Sequence, residues 1–413
     1  MSQPLPADST VLIVGASLAG LRAAEEMRHL GHRGPVIIVG DEHHAPYDRP
    51  PLSKQLLAGT WDVERIHHHA PDKLDTLGLE LHLGVRAVSL DIGTRTVVCD
   101  DGRHLQYDGL IVATGSSPRP LPGTAGMPRV RTLRTLEDCL AIRSHLEAVG
   151  AGARLVIIGA GFIGSEVAAT GHGLGARVTV IEALPTPLSR VLGDVMGEAC
   201  AGLHRSAGVS LRTGVGVERL TPHPGGPTPV VVHLADGSAL DADLVVVGIG
   251  VVPASGWLAG SGLSIDDGVL CDEALFAADR VVAAGDVARW HHPSSGERLR
   301  IEHWTNAAEG GAVAARNLLA GSEAAVPYDP VPFFWSDQYA TKIQVIGLPG
   351  PDDEVVVVEG SAAAGKLVAL YRRSDRLRAA LAFNQARRLT AYRPLLASGA
   401  SFDDALTLAR SAS

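Results

Sequence analysis

Two short glycine-rich loops constrain this 413-residue chain more than any other feature. They are residues 15–20 (Gly-Ala-Ser-Leu-Ala-Gly) and residues 159–164 (Gly-Ala-Gly-Phe-Ile-Gly). Each loop follows a continuously apolar run, residues 11–14 or 155–158, of the kind found in strands buried on both faces, and each precedes a helix-forming run. One such loop is a weak signal, but two complete strand-loop-helix-strand units indicate that the chain binds two dinucleotides.

The glycine positions within each loop have a geometric reason. At Gly15 and Gly159 the chain turns sharply where a Cβ would obstruct it, and at Gly20 and Gly164 the new helix packs closely on its strand. The pyrophosphate is then expected at the helix N-terminus, where free N–H groups and the macrodipole favour negative charge. The first loop departs from the pattern, because Ser17 replaces its middle glycine.

An acid is expected where the second strand of each unit ends, because a carboxylate there accepts hydrogen bonds from the adenosine ribose. In the second unit this acid is Glu182. A carboxylate repels a 2′-phosphate, and residues 183–189 contain no Arg or Lys, so the sequence predicts a preference for NADH over NADPH. In the first unit the expected acid is Asp41, which is offset by one position, so Glu42 stays an alternative.

A protein that binds two dinucleotides usually moves electrons between them, and the usual pair is a permanently bound flavin and a visiting nicotinamide. The four cysteines are far apart in sequence and form no Cys-x-x-Cys pair. The redox disulfide of many flavin-nicotinamide reductases is therefore not expected. We expect the electrons to leave through a separate acceptor.

Other classes of protein are disfavoured by the sequence. The first ten residues resemble no secretory leader, and the chain has no run of about eighteen apolar residues, so we expect a cytoplasmic protein without membrane spans. The adjacent histidines at 43–44 and 67–69 lack metal-ligand spacing, so we expect no metal site. No basic-aromatic pattern typical of nucleic-acid binding occurs.

Later landmarks predict the domain organisation. Apolar segments ending in small residues occur at 108–115, 242–250 and 281–286, and short apolar-rich segments from residue 327 onward favour an antiparallel sheet. We predict an α/β fold with two Rossmann-like dinucleotide-binding domains and a C-terminal α+β domain. The predicted boundaries are 1–116 with 247–326 for FAD, 117–246 for NADH, and 327–413 for the C-terminal domain.

Three further segments resemble those of a known family: residues 46–54 (Pro-Tyr-Asp-Arg-Pro-Pro-Leu-Ser-Lys), 300–307 (Arg-Ile-Glu-His-Trp-Thr-Asn-Ala) and 334–338 (Phe-Trp-Ser-Asp-Gln). With the two loops, they make the chain similar to the FAD-dependent NADH:ferredoxin reductases of bacterial oxygenase systems, the family of putidaredoxin reductase and the aromatic-dioxygenase reductases. The resemblance covers nearly the whole chain and implies a glutathione-reductase-like arrangement of the two Rossmann-like domains.

The resemblance, together with the motifs, implies specific cofactor contacts. The residues expected to contact FAD are Gly15, Ser17, Leu18, Ala19, Gly20, Asp41, Arg49, Lys54, Ala113, Thr114, Gly115, Arg134, Gly285, Asp286 and Trp304. The residues expected to contact NADH are Gly159, Gly161, Phe162, Ile163, Gly164, Glu166, Glu182, Arg190 and Gly250. No role is assigned to His303.

Lys54 and Glu166 are the predicted catalytic residues, and the resemblance implies that both lie beside the flavin where nicotinamide enters. Lys54 follows two prolines that stiffen its loop, so its ammonium can stabilise negative charge on the reduced cofactor. Glu166 is expected in the first turn of its helix, where it can pair with Lys54 and swing aside as nicotinamide arrives. The alternatives are an exposed Lys54 and a plain first-turn acid at Glu166.

The predicted electron acceptor is an acidic iron-sulfur ferredoxin. The whole chain carries a net charge of −9, but residues 365–394, hereafter the basic segment, contain eight basic side chains and one acid, a local balance of +7. Such a segment can steer a negatively charged partner.

Two alternative functions remain: a flavoprotein of apoptosis-inducing-factor type that acts by changing shape or partner, and a reductase acting directly on oxygen or peroxide. The oligomeric state is not predicted.

Overall fold

The computed structural model describes residues 2–223 and 229–411. Residue 1, residues 224–228 and residues 412–413 lie outside the described residues. They belong to the predicted FAD-binding, NADH-binding and C-terminal domains, respectively.

The described residues form an alternating α/β chain with an antiparallel C-terminal part. Its strands are β1 (Val11–Val14), β2 (Val36–Gly40), β3 (Leu79–Leu83), β4 (Ala87–Asp91), β5 (Thr96–Cys99), β6 (His104–Gln106), β7 (Gly109–Val112), β8 (Ser116–Pro118), β9 (Val130–Arg131), β10 (Arg154–Ile158), β11 (Arg177–Ile181), β12 (Ser210–Arg212), β13 (Val217–Pro222), β14 (Val230–Leu234), β15 (Ala239–Ala242), β16 (Leu244–Val247), β17 (Val251–Pro253), β18 (Val269–Cys271), β19 (Phe276–Ala278), β20 (Val281–Ala283), β21 (Ala288–His292), β22 (Glu297–Leu299), β23 (Phe333–Gln338), β24 (Thr341–Gly347), β25 (Glu354–Ser361), β26 (Lys366–Arg373) and β27 (Arg376–Phe383). Its α-helices are α1 (Leu18–His29), α2 (Pro71–Thr76), α3 (Leu136–Val149), α4 (Phe162–Gly173), α5 (Ser189–Ser206), α6 (Trp304–Ala320), α7 (Ala386–Thr390), α8 (Arg393–Ala397) and α9 (Phe402–Ser411). Short 3-10 helices span Pro50–Ser53, Val63–Ile66, Gly256–Leu258 and Gly285–Val287.

The chain divides into two compact units, each made of three segments. The first unit contains the residues up to Asp48, Glu64–Ser117 and Val252–Pro330. The second contains Arg49–Val63, Pro118–Val251 and the residues from Val331 onward. The second unit therefore contains both the second glycine loop and the C-terminal segment, and the three domain boundaries expected from the sequence remain predictions.

The first unit is built on a six-stranded sheet in the order β19-β20-β7-β1-β2-β3. Strand β1 lies inside this sheet and pairs in parallel with β2 and β7. All four of its residues are buried, which explains why its sequence is continuously apolar. This unit also contains the antiparallel sheet β4-β5-β6 and the three-stranded sheet β18-β21-β22.

The second unit repeats this arrangement. Its five-stranded sheet has the order β12-β11-β10-β16-β9, and β10 pairs in parallel with β11 and β16. The runs β3-β2-β1-β7 and β12-β11-β10-β16 thus follow the third-second-first-fourth strand order of a Rossmann fold. In each unit the glycine loop leaves the carboxyl end of the inner strand, which is where this topology binds nucleotides.

The C-terminal part is a five-stranded antiparallel sheet in the order β23-β24-β27-β26-β25. One face shares a core with α5, in which Leu192 and Met196 pack with Ile343 and Tyr371. The opposite face is covered by side chains from α7, α8 and α9. The predicted fold class, two Rossmann-like domains followed by an α+β domain, is confirmed.

Candidate active site

The first glycine loop is closed so tightly that it requires glycine at its ends. Gly15 has φ +128°, and a Cβ there would lie 2.1 Å from the carbonyl oxygen of Ala113. A Cβ at Gly20 would lie 2.0 Å from the carbonyl oxygen of Gly15. Helix α1 begins within this segment, at Leu18, with Ser17 as its N-cap residue in an extended conformation.

The second loop explains why serine is tolerated in the first. Gly159 and Gly164 repeat the tight contacts, with Cβ positions 2.4 Å and 2.1 Å from the carbonyl oxygens of Gly248 and Gly159. The middle glycine differs, because a Cβ at Gly161 would meet only the carbonyl oxygen of Gly248, 3.9 Å away, an ordinary contact. Ser17 occupies the corresponding position of the first loop, so its Cβ does not require the backbone to move.

Several predicted FAD residues come together around the start of α1. Ala113 follows β7 and contacts the Gly15 turn, while a Cβ on Gly285 would lie 3.2 Å from the Cβ of Ala19. The Asp286 carboxylate accepts a hydrogen bond of 2.7 Å from the hydroxyl of Ser116. The segment that follows β7 and the segment that follows β20 are thus held against the first loop.

The remaining residues of this group are placed within the same unit. Thr114 donates its hydroxyl hydrogen to the carbonyl of Ala254 at 2.8 Å, and the next residue, Gly115, has φ +69°. The first residue of α6, Trp304, donates its indole N–H to the carboxylate of Asp48 at 2.6 Å. Leu18 is buried on α1.

The acids at the two strand ends differ in position. The Glu182 carboxylate directly follows β11 and accepts backbone N–H groups from Ala160 at 2.8 Å and from Leu184 at 2.9 Å. In the first unit the corresponding position is Gly40, the last residue of β2. Asp41 is exposed beyond it, with Arg86 at 3.5 Å, so the offset seen in the sequence exists in the structure. The ribose contact at Asp41 stays a prediction.

Three other predicted NADH residues lie near the start of their helices, and a fourth, Gly250, directly precedes β17. Ile163 is exposed on the first turn of α4, and Arg190 is exposed on the first turn of α5. Gly250 has φ +100° and accepts a backbone hydrogen bond from Arg119. Phe162 begins α4 and packs its ring against Phe334 of β23.

Lys54 and Glu166 form a buried ion pair. Lys54 Nζ lies 2.6 Å from Glu166 Oε2, and their side chains are 11% and 3% exposed. The expected pairing is therefore present, and an exposed Lys54 is not. The expectation that Glu166 lies in the first helical turn is wrong: α4 begins at Phe162 because Gly161 caps it, so Glu166 is the fifth helical residue.

Three residues expected to contact FAD belong to the second unit: Arg49, Lys54 and Arg134. The guanidinium of Arg49 donates to the carbonyl of Arg134 at 2.7 Å. The 3-10 helix Pro50–Ser53 directly precedes Lys54, so the two prolines give this turn a fixed φ. The cofactor roles of these three residues stay predictions.

Three polar residues that were not predicted from the sequence contact Glu166 directly or through one other residue. The hydroxyls of Ser53 and Ser336 donate to the Glu166 carboxylate at 2.5 Å and 2.7 Å, and the Gln338 amide donates to Ser336 at 3.3 Å. A usable signal was present: Ser336 and Gln338 alternate with Phe334 on one face of a strand, where buried residues are normally apolar.

Two histidines, the buried His204 and the partly buried His303, have lowered pKa values. Burial lowers the pKa of His204 to about 4. Nδ1 of its ring is hydrogen-bonded to the hydroxyl of Tyr339, 2.7 Å away. Burial also lowers the pKa of His303 to about 4, an effect that the nearby Asp286 carboxylate opposes. Both histidines are therefore neutral at physiological pH.

The four cysteines are free and buried. Burial raises the pKa of Cys139, Cys200 and Cys271 to about 12. It raises the pKa of Cys99 as well, with help from two neighbouring aspartates. Since the thiolate is the reactive form, these thiols are poor nucleophiles and poor redox partners.

The basic segment is less charged than its sequence suggests. Four of its arginines pair with acids: Arg372 with Glu354, Arg373 with Asp353, Arg376 with Asp375, and Arg388 with Glu359. Because three of these acids lie outside residues 365–394, the segment and its partners hold eight basic side chains against four acids, a balance of +4. The sequence value of +7 therefore overstates the local charge.

Within residues 2–223 and 229–411, no group of three or more His, Cys, Asp or Glu side chains could hold a metal ion. Among the helices of these same residues, none is both long and apolar enough to cross a bilayer.

The loops and the strand order define a two-dinucleotide oxidoreductase, and comparisons with known proteins agree. Residues 9–311 match the family model described as pyridine nucleotide-disulphide oxidoreductase. Residues 333–412 match the model described as reductase C-terminal. The chain belongs to the pyridine nucleotide-disulphide oxidoreductase family, within the group of ferredoxin reductases from bacterial oxygenase systems.

Individual relatives match over nearly their whole length. Putidaredoxin reductase CamA of Pseudomonas putida is 36% identical over 395 residues, which cover 93% of this chain and 92% of the relative. The ferredoxin–NAD(+) reductase component of the anthranilate 1,2-dioxygenase system of Burkholderia cepacia is 36% identical over 395 residues, 95% of each chain. A solved structure, the covalent putidaredoxin reductase–putidaredoxin complex, superposes with a TM-score of 0.89 at 35% identity, over 95% of this chain and 94% of the other.

FAD and NAD(H) are the cofactors of this family, and the described residues fit them. Both glycine loops are cradles that a Cβ would fill, and both open onto the N-terminus of a helix. Glu182 presents a carboxylate beside the second cradle. These features are the requirements for holding a pyrophosphate and an adenosine ribose.

Proposed function

We propose that this protein is an NADH:ferredoxin oxidoreductase that delivers electrons to an acidic iron-sulfur ferredoxin serving a monooxygenase or a dioxygenase. The observation that carries the proposal is the duplicated cradle, one in each unit. When bound, FAD would supply a centre that takes up a hydride from NADH and releases its electrons singly. The relatives with ferredoxin reductase names support the choice of acceptor.

We assign the first cradle, with Ala113, Gly285 and Asp286, to FAD, and the second cradle, with Glu182, to NADH. The backbone N–H groups of each helix start hold a pyrophosphate, and the Glu182 carboxylate selects the unphosphorylated ribose of NADH. Lys54 supplies a cation that pairs with Glu166 at 2.6 Å. In this assignment the protein contributes positioning and electrostatics, and no side chain acts as a nucleophile.

The cysteines argue against a thiol-based acceptor. Cys-dependent reduction of peroxide or of a disulfide needs an accessible thiolate, whereas all four thiols here are buried and have raised pKa values. A separate one-electron acceptor therefore fits this chain better. Because NADH and small ferredoxins are intracellular reactants, we also propose that the protein works in the cytoplasm.

Steady-state assays with FAD-loaded protein test the proposal. NADH should drive reduction of a purified acidic [2Fe–2S] ferredoxin, and NADPH should support it poorly. Potassium ferricyanide, a small acceptor that needs no docking surface, is the control for hydride uptake. Rapid reduction of ferricyanide without reduction of any of several bacterial ferredoxins would favour an NADH-binding switch protein and would refute the proposed acceptor.

A further inference from the structure

Strand β23 places two polar residues on its buried face. Ser336 and Gln338 are both fully buried, on the same side of the strand as Phe334. Buried polar groups cost stability unless they are hydrogen-bonded, and a sheet face normally buries apolar residues. These two residues therefore need an explanation beyond packing.

The two residues form a hydrogen-bond chain that ends on Glu166. The Gln338 amide donates to Ser336 Oγ at 3.3 Å, and Ser336 Oγ donates to Glu166 Oε1 at 2.7 Å. A serine hydroxyl has one hydrogen to donate. Because an ionised carboxylate only accepts hydrogen bonds, this hydrogen is directed at Glu166, while the Gln338 amide occupies an acceptor site of the same hydroxyl.

The other oxygen of the carboxylate is bound from a different element. Glu166 Oε2 accepts from Lys54 Nζ at 2.6 Å and from Ser53 Oγ at 2.5 Å. Lys54 Nζ also has an alternative acceptor, the carbonyl of Pro50 at 3.1 Å. Lys54 can thus leave Glu166 and stay hydrogen-bonded, while the bond from Ser336 keeps Glu166 in place.

An aromatic contact fixes the register between β23 and α4. The rings of Phe162 and Phe334 meet edge to face with centroids 4.8 Å apart. Glu166 is four residues beyond Phe162 on α4, a rise of about 6 Å, and Ser336 is two residues beyond Phe334 on β23, about 6.6 Å. The matching rises place the Ser336 hydroxyl opposite the Glu166 carboxylate.

We propose that Ser336 is a positioning residue that anchors Glu166 from the C-terminal sheet, so that the ion pair opens by movement of Lys54. The role rests on the proposed function, in which Lys54 and Glu166 assist the oxidation of NADH. It makes the C-terminal sheet part of the NADH reaction.

Three variants test this role: Ser336→Ala removes the hydroxyl, Ser336→Thr keeps it, and Ser165→Ala removes a matched buried hydroxyl from α4. Ser165 precedes Glu166, but its hydroxyl lies 3.3 Å from the ring of His204.

Stopped flow measures flavin bleaching as a function of NADH concentration. Ser336→Ala should lower the limiting rate constant about tenfold, the loss expected for one hydrogen bond to a charged group, with little change in the NADH dissociation constant. Ser336→Thr should restore most of the rate, and Ser165→Ala should match the wild type.

Thermal unfolding supplies a readout that is independent of turnover. Ser336→Ala should lower the melting temperature of the wild type clearly but that of Glu166→Ala only slightly, because the partner is already gone. Ser165→Ala should have the same effect in both backgrounds.

The outcomes separate the two proposals. Wild-type rates and additive melting temperatures for Ser336→Ala would overturn the role of Ser336 alone. Equal slowing by Ser336→Ala and Ser165→Ala, without recovery in Ser336→Thr, would also overturn it, because the effect would then be general packing. Failure of NADH to reduce the wild-type flavin would refute the proposed function, and the positioning role with it.

Discussion

Glu182 accepts a hydrogen bond of 2.8 Å from the backbone N–H of Ala160, inside the second glycine loop. This bond ties the acid at the end of β11 to the cradle, so the carboxylate has a fixed place beside it. A fixed negative charge discriminates against a 2′-phosphate more strongly than a mobile one does. The nicotinamide specificity is therefore expected to depend on this one side chain.

Glu182→Gln should reduce the preference for NADH over NADPH by about tenfold or more, because the charge repulsion disappears. The measurement is the ratio of kcat/KM for the two nucleotides with ferricyanide as acceptor. Glu218→Gln, which changes an exposed acid of the same unit, is the control and should leave the ratio unchanged. An unaltered ratio in Glu182→Gln would show that another residue sets the preference.

Lys54→Met should slow the reduction of bound flavin by NADH at least tenfold, because the cation that pairs with Glu166 is lost. It should also lower the free energy of unfolding by about 3 kcal/mol, since it leaves a carboxylate buried without its cation. Stopped-flow absorbance and urea unfolding measure the two effects. Lys73→Met, at an exposed lysine of α2, is the matched control. If flavin reduction in Lys54→Met is as fast as in the wild type, Lys54 has no part in the reaction.

Arg387→Glu should weaken ferredoxin reduction severalfold at low ionic strength and change ferricyanide reduction much less, because the small ferricyanide anion needs no docking surface on the protein. Arg387 is exposed, whereas Arg388 is engaged by Glu359, so the single change at Arg387 is cleaner than reversal of both. Arg205→Glu, at an exposed site on α5, controls for net charge. Parallel loss of ferricyanide activity, or an equal effect of Arg205→Glu, would count against docking at the basic segment.

Stability should fall in mild acid because His204 is buried as the neutral form. Burial lowers its pKa from 6.5 to about 4. The contribution of the neutral His204 ring to the free energy of unfolding is therefore complete above pH 6.5 and is lost as the pH falls towards 4. At pH 5 the expected loss is about 2 kcal/mol. Urea unfolding of His204→Gln should show a shallower decline between pH 7.5 and pH 5 than the wild type. His29→Gln, at an exposed histidine, should decline as the wild type does.

Local patterns carried most of the fold prediction. The sequence predicted the buried strands β1 and β10 and the glycine turns that follow them, because strand burial and tight turns depend on neighbouring residues. The sequence also showed that Ser17 replaces the middle glycine of the first loop. Why serine is tolerated there follows only from the space around Gly161, where a Cβ would have its nearest neighbour 3.9 Å away.

Features that depend on distant segments were not readable. Ser336 contacts Glu166 across 170 residues, and no local pattern connects them. The charge of the basic segment was overestimated because its partners Asp353, Glu354 and Glu359 come from the neighbouring strand β25 or from just before it. The helical turn of Glu166 was misplaced because its position depends on where the cap at Gly161 starts α4.

The proposed reaction requires one chain to hold FAD and to admit NADH beside it, and an anaerobic titration examines both requirements at once. Protein supplied with FAD and then desalted should retain about one flavin per chain and show its yellow absorbance. About one equivalent of NADH should bleach that absorbance, and oxidised ferredoxin should restore it. A desalted protein without flavin absorbance, or a bound flavin that excess NADH does not bleach, would refute the assignment of the two cradles.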